Sequence, residues 1–202
     1  SLDQFTVGIT HVLLSRDERV RIHLVDSINR NRGVLIVLSS NNTKRGRIHL
    51  THVDASKGMV AWAKENASAS GLAGRPVRWI VDDCVKFVER EIRRGHRYDI
   101  IIMDPPSYGR GPSGEIWKLE DKIYSFVELC TGVLSEDALM VLVNSYTTGL
   151  SPAVMQYILG AVVNPRFGGE VSSDEIGLPA SASQMALPCG ATAIWRGPAC
   201  RE

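Results

Sequence analysis

Residues 98–104, YDIIIMD, constrain the fold more than any other stretch of the chain. Ile100, Ile101 and Ile102 are consecutive, β-branched and bounded by polar residues, the composition of a strand buried on both faces. Such a strand belongs in a parallel sheet covered by helices. The rest of the chain from residue 48 onward agrees, because strand and helix signals alternate. IHLTHVD, VRWIVDD, YDIIIMD and ALMVLVNSY read as strands. Helical segments follow each: SKGMVAWAKENASASG, CVKFVEREIRRG, KLEDKIYSFVELCTGVLS and SPAVMQYILGAVV. Ser56 is placed to cap the first helix and Gly71 to stop it; Val85, Val88 and Ile92 mark the inward face of the second, which Gly95 ends. GGEVSSDEIGL and GATAIWRG read as two final strands. Alternating units of this kind build an α/β fold with a doubly wound sheet.

The first fifty residues break the pattern. GVLIVLSS (33–40) is a good buried strand, and RDERVRIHLVDSI before it reads as helix or strand equally well. Only the stretch between Ser39 and Ile48 separates this strand from the next. A parallel crossover needs about a dozen residues, usually including a helix. The two strands are therefore expected to form a hairpin through NNTKRG, with no helix between them.

Composition narrows the partners. A formal net charge of +1 gives no global attraction to nucleic acid or membrane, so local patches must carry any such contact. No run of about 18 apolar residues is present, which argues against a membrane-spanning helix. Cys84, Cys130, Cys189 and Cys200 lack the paired spacing of a zinc site, and the expectation is free thiols in a reducing, cytoplasmic setting, with no metal. The start lacks both a signal-peptide pattern and an initiator Met, so a partial, trimmed or processed chain is expected.

Three acids fall at successive strand ends: Asp54 in THVDAS, Asp83 in VDDC and Asp104 in DPPSY. Open α/β sheets bind ligands at these ends, and an acid after one strand can hold both hydroxyls of a ribose. Taken singly, each acid reads more readily as a helix cap. Three in order favour a site. Pro105 and Pro106 stiffen the exit from the strand and remove two N–H donors, while Tyr108 offers a flat ring to a planar base.

THVDASKGMVAWAKEN, VRWIVDDCVKFVERE and YDIIIMDPPSYGRG resemble the class I S-adenosylmethionine-dependent methyltransferases, specifically the bacterial rRNA methyltransferase-like group. The resemblance runs from about residue 51 to 195; residues 1–50 fall outside it as a divergent or non-homologous segment of one domain spanning 1–202. It implies a mostly parallel, Rossmann-like methyltransferase sheet with an antiparallel C-terminal strand and an atypical N-terminal βα unit. It implies S-adenosyl-L-methionine as cofactor and RNA, in particular an rRNA base, as partner. Asp54, Ala55 and Ser56 would hold the cofactor ribose, Asp83 and Cys84 the adenine, and Asp104 the methionine end. Asp104, Pro105, Pro106 and Tyr108 would line the place where the target group sits. The glycine turn that follows the family's first strand has no counterpart after VLIVLSS, which opens the alternative of an impaired or inactive binding module with weak or no turnover. Basic stretches RNR (30–32), KRGR (44–47) and REIRRGHR (90–97) would then contact phosphate. A nicotinamide-dependent oxidoreductase shares the ribose-binding acid, but G-x-G-x-x-G is missing and DPPSY is present. A small-molecule methyltransferase stays open. The strand end VLVNSYTTG carries Asn144, Ser145 and Tyr146 without cysteine, and Cys189 reads as a small buried residue before the last strand. A nitrogen acceptor therefore fits better than covalent cytosine chemistry.

Overall fold

A computed structural model describes residues 9–13, 21–25, 34–39, 49–110, 114, 116–180 and 185–201. Among the described residues its main sheet has seven strands. In chain order they are β3 (Val34–Ser39), β4 (His49–Asp54), β5 (Val77–Val81), β6 (Ile100–Asp104), β9 (Met140–Ser145), β10 (Glu170–Pro179) and β11 (Ala186–Arg196). Two short hairpins stand apart: β1 (Ile9–Leu13) with β2 (Arg21–Val25), and β7 (Tyr108–Arg110) with β8 (Ile116–Lys118). Among the described residues, four helices connect the strands: α1 (Lys57–Ala69), α2 (Cys84–Arg94), α3 (Leu119–Thr131) and α4 (Pro152–Phe167). Among the described residues, no helix is long and apolar enough to cross a membrane.

Across the sheet the order is β10-β11-β9-β6-β3-β4-β5. β4 pairs parallel with β5 and β6 parallel with β9, whereas β3 is antiparallel to both of its neighbours. β11 is antiparallel to β9 and to β10. Five strands thus point one way, and β3 and β11 point the other. The mostly parallel sheet with an antiparallel C-terminal strand is as the sequence implies. The hairpin is also as expected, since β3 and β4 pair antiparallel; residues 40–48, which join them, lie outside the described residues. The sequence does not reveal that this reversed strand occupies the centre of the sheet.

Right-handed crossovers decide where the helices lie. The step from β4 to β5 moves toward one edge, whereas β5 to β6, β6 to β9 and β9 to β10 all move toward the other. α1 therefore covers one face, and α2, α3 and α4 the opposite face. The main core agrees: Phe87, Val88, Ile123, Val127 and Leu159 from those three helices pack with Met103 and its neighbours on the sheet.

Local chemistry fixes the helix ends. Ser56 Oγ accepts from Met59 N at α1, Asp83 Oδ1 from Lys86 N at α2, and Ser151 Oγ from Val154 N at α4, where Pro152 occupies the first turn. Gly95 ends α2 in the left-handed region, φ 69°. The inward face of α2 differs from expectation. Val88 is buried and Val85 and Ile92 are partly so, but Phe87 and Glu91 are buried as well. Glu91 is tolerated there because it is fully hydrogen-bonded: its Oε2 accepts from Tyr98 Oη at 2.5 Å and lies 2.7 Å from His96 Nδ1, and its Oε1 accepts from Arg94 at 2.9 Å. Burial would raise this carboxyl, but the bonds from Tyr98, His96 and Arg94 outweigh burial and hold it below the ordinary carboxylate range. Burial and the adjacent Glu91 carboxylate together push the Tyr98 phenol up.

Candidate functional site

The chain changes direction across the sheet at β3. Connections from β4 run toward one edge and connections from β6 toward the other, so the switch point lies over the strand between them. Open α/β sheets bind ligands outside the carboxyl strand ends at such a point. Asp54 and Asp104 end β4 and β6, the two strands flanking β3. Val34 pairs with Asp104, and Leu35 pairs with both Val53 and Met103. The two aspartates are therefore level across Val34, two strand spacings apart, about 9.6 Å. Residues level across neighbouring strands share a face. Val53 and Met103, one residue back on each strand, belong to the helix-packed core, so Asp54 and Asp104 are on the other face.

Asp54 is fully buried, and its Oδ1 accepts from Ser56 N at 2.6 Å, which shapes the turn 54–56 into α1. The next strand end is tied to this one by Asp82 N donating to Asp54 O at 3.0 Å. Asp83 is exposed and serves as the cap of α2, the role its type suggested when taken singly. Cys84 Sγ donates to Val53 O at 3.7 Å, which holds the start of α2 against β4. The ion pair between Arg90 and Asp82 fixes the same corner from the helix side.

After Asp104 the chain runs through buried Pro105 and half-buried Pro106 into the β7–β8 hairpin, an element absent from the sequence reading. Trp117 explains why it forms. Its Nε1 donates to Pro106 O at 2.8 Å, and its ring meets Phe126 of α3 edge-on at 6.0 Å. The Pro106 carbonyl is thus engaged within the protein. Tyr108 pairs with Lys118 across the hairpin, is 38% exposed, and accepts from Arg110 Nε at 3.3 Å. A partly exposed ring beside the strand end suits stacking.

At the end of β9, Asn144 and Ser145 are buried and Tyr146 is partly exposed. Cys189 is not a buried residue preceding the last strand. It lies within β11, half-buried, at an irregularity where Gly177 pairs with Pro188 and Ile176 with Gly190, and its Sγ donates to Leu187 O at 3.2 Å. Cys84, Cys130 and Cys189 are free thiols. Burial, reinforced by Cys84, pushes the Cys130 thiol up, which makes it an inert core residue.

The groups at this edge suit the adenosine side of a nucleoside sulfonium: the Asp54 carboxylate at the end of β4 as an acceptor, and the start of α2 at Asp83 and Cys84 beside it. The methionine side differs. A parallel first strand would leave the sheet there in a turn, but the reversed β3 instead begins at Val34.

No protein-family profile matches the chain. A curated relative from Shewanella baltica (strain OS155 / ATCC BAA-1091), ribosomal RNA large subunit methyltransferase K/L, is 30% identical over 114 residues, 52% of this chain and 16% of that protein. Its counterpart from Shewanella sp. (strain MR-4) is 29% identical over 115 residues. Among solved structures, an S-adenosylmethionine-dependent methyltransferase from Agrobacterium tumefaciens superposes with a TM-score of 0.65 at 37% identity, covering 72% of this chain and 48% of that one. SMU.776, described as a putative methyltransferase complexed with SAH, superposes at 0.53 with 20% identity over 72% of this chain and 38% of its own, a likeness of fold. The chain spans about one sixth of the curated relatives and about half of the Agrobacterium protein.

Proposed function

We propose that the chain is a class I S-adenosylmethionine-dependent methyltransferase that binds S-adenosylmethionine and transfers its methyl group to an RNA base, with rRNA as the substrate class. The observation that carries this reading is the level placement of Asp54 and Asp104 on the strands flanking the switch point. Asp54, with the turn through Ala55 and Ser56, would hold the ribose; Asp83 and Cys84 would line the adenine; Asp104 would meet the methionine end. When bound, the cofactor supplies a methyl group on a positively charged sulfonium. The protein's part is to bring the acceptor into line with that methyl and to disperse charge. Asp104, Pro105, Pro106 and Tyr108 form the acceptor side in this reading, with Tyr108 stacking on an unpaired base and the prolines holding the strand exit rigid.

The reversed β3 sets the expected rate. Positioning contributes roughly 7–11 kcal/mol to a displacement at its best. Among the described residues no glycine turn leaves a parallel first strand at the methionine end, and without one part of that contribution is forgone, so transfer should be slow. The alternative of a phosphate-binding module has less support, because the stretch REIRRGHR is engaged internally: Arg90 pairs with Asp82, Arg94 with Glu91, and Arg97 donates to Gly132 O.

The experiment is transfer of a labelled methyl group from S-adenosylmethionine into rRNA fragments. Slow incorporation that disappears in Asp104→Ala supports the reading. No incorporation together with no binding of S-adenosylhomocysteine by the folded chain would sink it.

A further inference from the structure

Asp104 is one member of a longer row. Met103 pairs with Val143, so Asn144 is level with Asp104 on the adjacent strand. Asn144 in turn pairs with Thr192 of β11, and Thr192 with Asp174 of β10. Asp104, Asn144 and Thr192 are thus consecutive in one cross-strand row, about 4.8 Å from strand to strand, on one face. Val143, Ala191 and Ala193 face the helix-packed core, so this row is on the opposite face, as Asp54 and Asp104 are. Asn144 is only 7% exposed. The Oγ1 of Thr192 is buried and has no hydrogen-bond partner among the described residues, and neither has the Oγ1 of Thr147, three residues beyond Asn144. Buried hydroxyls are ordinarily satisfied, so the unsatisfied Thr192 hydroxyl level with the buried Asn144 amide marks a place where a polar ligand would complete the bonding.

We propose that Asn144 and Thr192 form the recognition edge for the methyl acceptor and that this edge selects a nucleobase carrying an exocyclic amino group. The inference rests on the methyltransferase reading for the identity of the reaction, while the selectivity follows from the row itself. A carboxylate accepts hydrogen bonds and donates none, and the Asn144 amide offers an acceptor oxygen next to it. An amino group has two hydrogens, one for each. A keto oxygen at that position would meet the lone pairs of Asp104. The Thr192 hydroxyl and the Asn144 NH2 remain to donate to the ring nitrogen beside the amine, the paired donor–acceptor logic by which asparagine reads an adenine edge. Asn144 and Thr192 act by positioning and choosing the base; neither takes a proton from it.

The test uses the full chain loaded with S-adenosylhomocysteine, titrated with short labelled single-stranded oligouridines carrying one central adenine or cytosine, and with the all-uridine strand. Anisotropy should show the amino-bearing strands bound about tenfold more tightly, the size expected of one well-made edge contact. Asn144→Ala should abolish that preference with S-adenosylhomocysteine affinity unchanged. Thr192→Val, which removes the hydroxyl without opening a cavity, should reduce the preference, and Thr192→Ser should retain it. Equal affinity for all three strands in the unmodified chain, or a preference that survives in both Asn144→Ala and Thr192→Val, would overturn the proposal. Should S-adenosylhomocysteine not bind, the methyltransferase reading falls, and the same titration without it decides the recognition edge by the same outcomes.

Discussion

Asp54 and Asp104 stand level across Val34, the first residue of a strand that runs opposite to both of theirs. A doubly wound sheet ordinarily places a parallel strand there, and its exit turn would face the same crevice. The register of the antiparallel β3 on both neighbours sets the two acids level. Replacing residues 1–50 with a first βα unit that ends in a glycine turn should therefore raise both cofactor affinity and turnover, by tenfold or more if positioning limits the rate. Paired calorimetry and methyl-transfer assays on the two chains would check this. Equal turnover would show that the reversed strand costs nothing.

Glu91 secures the far end of α2. Glu91→Ala should lower stability by about 3 kcal/mol, since it leaves the Tyr98 hydroxyl and two basic neighbours without their buried acceptor. Glu91→Gln, which keeps an acceptor for Tyr98, should cost less. Urea unfolding of the two variants gives the comparison.

His52 makes stability depend on pH. It is buried on β4 against Trp79, with ring centroids 5.2 Å apart, and burial pushes its pKa down to about 4, against a smaller opposing contribution from its backbone hydrogen bond. The unfolded chain binds this proton from about pH 6.5 downward and the folded chain only near 4. Stability from this group is therefore complete above pH 6.5 and lost progressively as pH falls to 4, by about 3 kcal/mol in all. His52→Phe should flatten that part of the profile, as read by unfolding midpoints at pH 7 and pH 4.5.

Trp117 holds the hairpin that follows the two prolines. Trp117→Phe keeps the ring against Phe126 but removes the bond to Pro106 O. The loss should be about 1 kcal/mol, or about 2–4 °C in Tm. Methyl transfer should fall while S-adenosylhomocysteine affinity holds, because the proposed reading puts the hairpin on the acceptor side. A matching loss of cofactor affinity would place Trp117 elsewhere in the account.

Much of this architecture was legible in the residues. Ile100, Ile101 and Ile102 announced a buried strand, Ser56 announced a helix start, and the short span from Ser39 to Ile48 required an antiparallel pairing. Other features depend on contacts remote in sequence. The position of β3 between β4 and β6 follows from pairings with residues 53 and 103, which no local pattern encodes. Glu91 read only as part of the basic stretch REIRRGHR because its partner, Tyr98, lies beyond the helix. Asn144 was visible at its strand end, but Thr192 joins it only through the register of β11 on β9. The β7–β8 hairpin depends on an indole hydrogen bond eleven residues back along the chain.

Calorimetric titration of S-adenosylhomocysteine into the unmodified chain and into Asp54→Ala tests the central claim most directly. The account predicts saturable binding to the unmodified chain. It predicts that Asp54→Ala weakens binding by about 10- to 100-fold, the loss of charge-assisted hydrogen bonds worth about 1.5–3 kcal/mol. Absence of binding by a folded, unmodified chain, or an affinity that Asp54→Ala leaves unchanged, would contradict it.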